Sequence, residues 1–362
     1  MKPAATIRAN LEDFVVDELP AYAPVGHGPH VFLRVRKTGL TTFECIARIA
    51  RATGTAPREI GHAGMKDRHA ITSQYLSLPW PEPKDLAPLR ELVLPDVEIL
   101  EVSRHTNKLR TGHLAGNRFR IVLRDIDPAA LDQVQRDLSS ASARGFPNSF
   151  GPQRFGRDGD NPQRTLAWLR GETRGPRDPR MARLLFSSLQ AWLFDRVLQA
   201  RLEDDTWATV LAGDVVKKHD TGGLFDCTDP DTDARRAADA LVSATGPIFG
   251  AEMRRASGLP GQLEDALLHD AIGDPSTLER HRKLGAGSRR VLRVFPSEMA
   301  LTSRPDGSLL AEFTLPKGVY ATTLLGGACT LTDARAPRAG ANPAEETSGH
   351  DELLYDPQPT SG

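Results

Sequence analysis

Cysteine is scarce in this chain: Cys45, Cys227 and Cys329 are the only three among 362 residues. They are too few and too scattered for a disulfide framework or a thiolate zinc site. No run approaches the ~20 consecutive apolar residues that span a bilayer, so no membrane association is expected. The opening segment MKPAATIRANLEDF has no apolar stretch of the kind a secretory signal carries. The expectation is a reduced, cytoplasmic protein. Net charge is nearly absent too, at -1 with a pI near 6.8. There is no Walker A sequence and no G-x-S-x-G elbow.

What is present is an ordinary globular composition, 39% hydrophobic and 26% charged, with a mean hydropathy of -0.37. The length suggests two domains. Charge is unevenly spread. Beyond residue 331, six acids (Asp333, Glu345, Glu346, Asp351, Glu352, Asp356) face only Arg335 and Arg338. Residues 104–124 carry six cations and no acid, residues 280–293 again six and none, and residues 154–183 eight arginines against four acids. Such runs are usually solvated faces, but three of them beside aromatics and glycines keep a polyanion partner open.

The first third alternates strand and helix signals. Phe14–Leu19 and 31–36 read as strands, then Thr41-x-x-Glu44 forms a capping box for a helix stopped at Gly54. Segments 75–78 and 119–126 read as strands, and Asp127-Pro128 opens a helix through about Ala143. Residues 146–163 are a loop by composition. An amphipathic helix is predicted over 181–201, strands at 288–295 and 309–315, and a loop entering a helix near Tyr320. After about 333 the Pro/Ala/Gly/Glu-rich chain predicts disorder.

Several motifs fail. Asp229-x-Asp231-x-Asp233 has Ala234 and Ala240 where a calcium loop needs glycine and glutamate. Asp233 reads instead as an N-cap for the segment after it. Gly285-Ala-Gly287 lacks the third glycine of a dinucleotide fingerprint. The pairs His27/His30 and His62/His69 have no matching ligand set, so no metal and no cofactor are expected.

One segment remains: Gly61-His-Ala-Gly64-Met-Lys66-Asp67-Arg68-His69-Ala-Ile-Thr72-Ser-Gln74. It sets one carboxylate between two cations, after a glycine-permitted turn, a setting that suits a nucleophile or a base. The bland alternative is a surface turn with weak ion pairs. The run Gly64-x-Lys66-Asp67-Arg68-His69-Ala-x-Thr72-x-Gln74 resembles the catalytic motif of the TruD family of tRNA pseudouridine synthases. Four further segments resemble the family's other motifs in order: Phe14-x-Val16-x-Glu18; Lys108-Leu109-x-x-Gly112 through Asn117-x-Phe119; Gly145-x-Pro147-Asn148-x-Phe150-Gly151-x-Gln153-Arg154-Phe155-Gly156; and Phe313-x-Leu-Pro-x-Gly-x-Tyr320-Ala-Thr. Thr245-Gly-Pro-x-x-Gly250 and Arg289-Arg-x-Leu-Arg-Val294 fall between the last two.

The resemblance implies an α+β protein. A pseudouridine-synthase-like catalytic domain with a mixed, bent β-sheet flanked by helices would be built from residues 1–142 and 295–332. An inserted α/β domain would occupy 143–294, with a tail at 333–362. It implies isomerisation of uridine 13 in the tRNA D-arm, with Asp67 as the catalytic carboxylate, acting as nucleophile at C1′ or as base on the sugar. Phe14, Asn117 and Tyr320 fall at its substrate-contacting positions, and Phe119 and Lys66 stand beside them. The family typically has Phe where this chain has Tyr320, and Leu-Arg-Glu where it has Leu325-Gly-Gly327. Lys108, Arg110, Arg154, Arg289 and Arg290 are expected on the RNA backbone, in a protein acting as a monomer on tRNA. The rivals are a noncatalytic RNA-binding protein on the same scaffold and a metal-dependent nuclease, the latter disfavoured by the lack of clustered carboxylates.

Overall fold

Period-2 burial marks the first long strand. Along Phe14–Pro20 the residues Phe14, Val16 and Glu18 are buried while Val15 and Asp17 are half-exposed, which fixes the face this strand turns inward. In the computed structural model, which describes residues 1–335, that strand lies at the centre of a sheet. The order is Ser297–Ser303, Leu309–Pro316, Leu114–Leu123, Phe14–Pro20, Ile71–Pro79, His30–Thr38, Val97–His105, with Gly61–His62 paired to Ile71–Pro79. Only the Phe14–Pro20 and Ile71–Pro79 pairing is parallel, so the sheet is mixed, and both chain ends contribute to it.

Two apolar clusters cover it. One packs Phe14, Phe313 and Ile121 against Val134 and Leu138 of helix Leu131–Arg144 and Leu324 of helix Ala321–Ala328. The other packs Val31, Leu33 and Leu76 against Ile46 and Ile49 of helix Thr42–Thr53. That helix starts at the expected capping box, Thr41 accepting from the Glu44 amide and Glu44 from the Thr41 amide, and stops at Gly54 in the left-handed region.

The inserted part is a four-stranded antiparallel sheet, ordered Leu224–Asp226, Val215–Lys218, Val242–Ile248, Ser288–Val291. Phe186, Leu189 and Leu193 of the long helix Pro179–Glu203 pack against Phe249 and Leu268, the latter on helix Gly258–Ile272. The chain leaves and returns through a small ladder, Phe146–Pro147 against Arg293–Val294. Phe146 and Val294 belong to the apolar cluster of the large sheet, so the two crossings are side by side.

Some expectations need correcting. The expected strand at 119–126 is Leu114–Leu123, ended before Asp125, whose φ of 57° breaks the extended path. The strand expected over 288–295 is broken at Leu292, whose amide crosses to the Ala244 carbonyl. Asp233 is not an N-cap: Asp229 caps helix Pro230–Ala238, Asp233 pairs with Arg236 inside it, and the residues after Ala240 become a strand. Asp333 belongs to the fold, closing strand Thr330–Asp333, which pairs in parallel with Ala4–Ile7. The remainder of the expected tail, 336–362, lies outside the described residues.

Arg289 is not a phosphate ligand. Its guanidinium is buried, donating to both carboxylate oxygens of Glu264 at 2.8 and 2.7 Å and to the hydroxyl and carbonyl of Thr245 at 2.9 and 2.6 Å. Burial raises the affinity of Glu264 for a proton, and the arginine opposes that. Arg289→Met strands a buried carboxylate and should cost about 3–5 kcal/mol, while Arg289→Met with Glu264→Leu should regain most of it. Urea denaturation of the two variants checks this, and equal losses would refute the pairing argument.

Candidate active site

The segment 61–70 cannot hold itself in place, because it has almost no ladder of its own. Three buried polar side chains hold it. Lys37, at the end of strand His30–Thr38 and 0% exposed, donates to the carbonyls of Asp67 at 2.8 Å, Lys66 at 3.3 Å and Leu40. Thr42, in the first turn of its helix, accepts from the Lys66 amide at 2.9 Å and donates to Gln74 at 2.9 Å. Gln74 in turn donates to the Gly64 carbonyl at 3.4 Å. Gly61 admits a close approach: a Cβ there would lie 2.2 Å from the Leu109 carbonyl oxygen.

The cations flanking Asp67 in sequence do not face it. Lys66 points inward to Glu18 at 2.7 Å, a buried pair, and Arg68 turns outward to Glu44. The cation that does face Asp67 is Arg8, at 3.4 Å. Arg8 also pairs with Asp333 at 2.6 Å, and its guanidinium lies 3.9 Å over the Phe14 ring. Its backbone has φ 56°, the left-handed region that non-glycine residues seldom adopt. The sequence reading missed Arg8 and Glu18 as site residues. Glu18 had a signal, since it closes the Phe14-x-Val16-x-Glu18 motif; Arg8 lies outside every motif.

Asp67, with 41% of its side chain exposed, opens into a cleft of about 460 Å³. Phe14, Lys66, Asn117, Phe119 and Tyr320 line the cleft with it, so the structure brings all six central candidates together. Their exposure differs. Phe14 is 2% exposed beneath Arg8, and Phe119 stacks on Phe313 at 5.4 Å, so both serve as floor and core at once. Asn117 reaches the cleft from strand Leu114–Leu123, and its buried Oδ1 has no hydrogen-bond partner among the described residues. A buried acceptor left unmade is costly, so it suits a ligand N–H.

The inserted part supplies the opposite wall with Gln153, Arg154 and Leu184. Lys108 and Arg110 are not in the cleft. They sit on the loop at its edge, where the Gly112 amide donates to Ala63 and Lys317 to the Gly112 carbonyl. Arg290 is not free for a phosphate: it donates to Asn148 and to Gly318. Asp195, on helix Pro179–Glu203, accepts from the Phe150 amide at 3.0 Å, and burial pushes its carboxyl up to about 7. Among the described residues, no three His, Cys, Asp or Glu side chains gather to hold a metal ion, and no helix is long and apolar enough to cross a membrane.

The family model of tRNA pseudouridine synthase D (TruD) matches residues 3–163 and 177–326. A relative from Anaeromyxobacter sp. (strain Fw109-5), named tRNA pseudouridine synthase D, is 44% identical over 328 residues, covering 88% of this chain and 91% of its own. One of the same name from Thermus thermophilus is 40% identical over 319 residues, covering 88% and 87%. A crystal structure from Methanosarcina mazei that carries the TruD name superposes with a TM-score of 0.70 at 20% identity, covering 91% of this chain and 94% of that one. At that identity the superposition speaks to the fold.

Two outcomes follow from the geometry. Lys37→Met leaves three carbonyls without their donor and should lower stability by about 2–4 kcal/mol. If the clamp also sets the loop, the variant that remains folded at low temperature will have lost turnover; full activity would refute it. Asp195 titrates higher folded than unfolded, so the folded state loses stability as pH rises from about 4 through 7. Asp195→Asn removes that loss. It should melt above the wild type at pH 8, and the gap should close as pH falls to about 4; a pH-independent gap would refute the assignment.

Proposed function

Because the chain belongs to the tRNA pseudouridine synthase D (TruD) family, we propose that it converts uridine to pseudouridine at position 13 of the tRNA D-arm, with Asp67 as the catalytic carboxylate. The observation that carries this reading is the Asp67 carboxylate, held by Arg8 at the mouth of a cleft with an unpaired amide acceptor. The position in tRNA rests on the family resemblance.

The reaction breaks the C1′–N1 bond, turns the uracil and rejoins it through C5; C5 gives up its proton and N1 ends protonated. It moves no electrons to or from an external carrier. Asp67 attacks C1′ as nucleophile or takes a proton from the sugar as base; both need the carboxylate charge beside C1′ and both leave the base free to turn. The uridine must first leave its stack, at a cost of a few kcal/mol. Tyr320 offers a ring for stacking, and the Asn117 Oδ1 accepts an N–H from the uracil edge, which fixes the base while its glycosidic bond is absent. Lys66 is neutralised by Glu18 and supports the loop beside the sugar rather than gripping a phosphate.

Asp67→Asn keeps the shape and removes the charge. Release of tritium from C5 of labelled uridine in tRNA should fall by several orders of magnitude, with tRNA binding equal or slightly tighter. A thermal melt controls for folding, since Arg8 loses one of its two carboxylates. Appreciable release from the folded variant would sink the assignment of Asp67. No release by the wild type from any tRNA would favour a noncatalytic RNA-binding protein on this scaffold.

A further inference from the structure

The loop that carries Tyr320 has little to hold it. It runs from the end of strand Leu309–Pro316 to helix Ala321–Ala328, turning at Gly318 with φ 76°. Tyr320 stands at the helix N-cap, where no side chain makes a capping hydrogen bond. On the side of the main sheet its hydrogen bonds among the described residues are at its start, from the Lys317 amide to Ala115 and the Lys317 ammonium to Gly112, and Val319 packs on the core there. The Gly318 carbonyl and the Tyr320 ring instead meet the inserted part and the crossing into it.

Those contacts converge on one side chain. Arg290, on strand Ser288–Val291, donates from Nη1 to the Gly318 carbonyl at 2.9 Å, from Nε to the Asn148 carbonyl at 3.1 Å and from Nη2 to Asn148 Oδ1 at 2.5 Å. Its guanidinium lies 4.2 Å over the Phe150 ring. Phe150 meets Phe194 edge-on at 5.6 Å and Tyr320 at 6.2 Å, while its amide donates to Asp195. The next residue, Gly151, lies so close under Tyr320 that a Cβ there would come within 3.2 Å of the ring. The Tyr320 ring therefore rests on the 148–151 crossing, and Arg290 fixes that crossing to the Tyr320 loop.

We propose that Arg290 is a positioning residue for the isomerisation: it ties the 148–151 crossing to Gly318 so that the Tyr320 ring meets the flipped uracil in one place. This rests on the proposed contact of Tyr320 with the base. Only arginine fits the task. A planar fork that makes hydrogen bonds in three directions while its face stacks on an aromatic ring has no counterpart in a single ammonium. The surroundings are dry enough that burial pushes the Arg290 guanidinium down to about 10, which leaves it charged at neutral pH and committed to its protein acceptors. The inserted part thereby does more than wall the cleft through Arg154 and Leu184: it sets the stacking surface. A shift of about 1 Å in that surface can cost two orders of magnitude in rate without loss of binding.

The test uses the full chain with 3-fluorotyrosine in place of its four tyrosines, the Tyr320 fluorine line being assigned with Tyr320→Phe. In Arg290→Gln and Arg290→Lys the Tyr320 line should shift and broaden in the free protein while the Tyr75 line stays put. At saturating tRNA the single-turnover rate should fall about 10- to 100-fold, with tRNA affinity kept within about twofold. In a Tyr320→Leu background either substitution should remove little further rate, since the two residues act as one unit. The lysine variant keeps the charge and provides the second arm if the glutamine variant does not fold. An unchanged Tyr320 line, or rate losses that simply add, would overturn the proposal. So would weakened tRNA binding with a flatter salt dependence, the mark of a phosphate contact. If the wild type isomerises no tRNA, the functional reading fails, and the fluorine line still decides whether Arg290 positions the ring.

Discussion

A buried ammonium must find acceptors, and Lys37 finds them in three carbonyls, two of which belong to the turn that carries Asp67. Its Nζ meets the Leu40, Lys66 and Asp67 carbonyls at the point where strand His30–Thr38 ends, helix Thr42–Thr53 begins and the 61–70 segment passes over both. A loop without ladder partners needs its peptide groups satisfied some other way, and here side chains from the rigid elements do it. Thr42 and Gln74 extend the same arrangement to the Lys66 amide and the Gly64 carbonyl. The Asp67 side chain is left to face the cleft, beside Met65 and Lys66. Its backbone is fixed from beneath, and its carboxylate is approached by Arg8 from above.

That approach joins the two ends of the described chain. Arg8 follows strand Ala4–Ile7, which pairs with Thr330–Asp333, and Asp333 takes the other edge of the same guanidinium. A single cation shared between two carboxylates, with its face on Phe14, has little freedom left. The left-handed backbone at Arg8 is the local cost of aiming it there. The carboxylate, its cation, the amide of Asn117 and the ring of Tyr320 thus come from four separate stretches of chain. The central sheet sets Asn117 between Glu18, which holds Lys66, and Leu315, on the strand that leads to the Tyr320 loop.

Much of this was legible where the signal is local. The capping box at Thr41, the glycine stop at Gly54, the strand over 31–36 and the motif around Asp67 each involve residues close in sequence, although Val31, Phe32 and Leu33 are all buried rather than alternating. The partners of charges were not legible, because they are set by what lies across a sheet. Lys66, Asp67 and Arg68 look like a mutually paired triplet, yet successive side chains leave the turn in different directions and each takes a carboxylate or cation from elsewhere. Arg289 and Arg290 look like one basic pair, yet strand alternation sends the first to buried Glu264 and the second to Asn148 and Gly318. Arg8 carried no pattern at all.

The same reasoning redraws the charge on the surface. In the basic run at 104–124, Arg118, Arg120 and Arg124 pair with Glu298, Glu312 and Asp13, acids on neighbouring elements that a linear count cannot see. Arg104 spends its donors on the carbonyls of Gly28, Trp80 and Lys84. Among the described residues, the cations of the cleft edge that have no carboxylate partner are Lys108, Arg110 and Lys317, and they lie on the two segments joined at Gly112. A linear count of charge therefore overstates the free cations of such a run, because acids from neighbouring elements are paired into it.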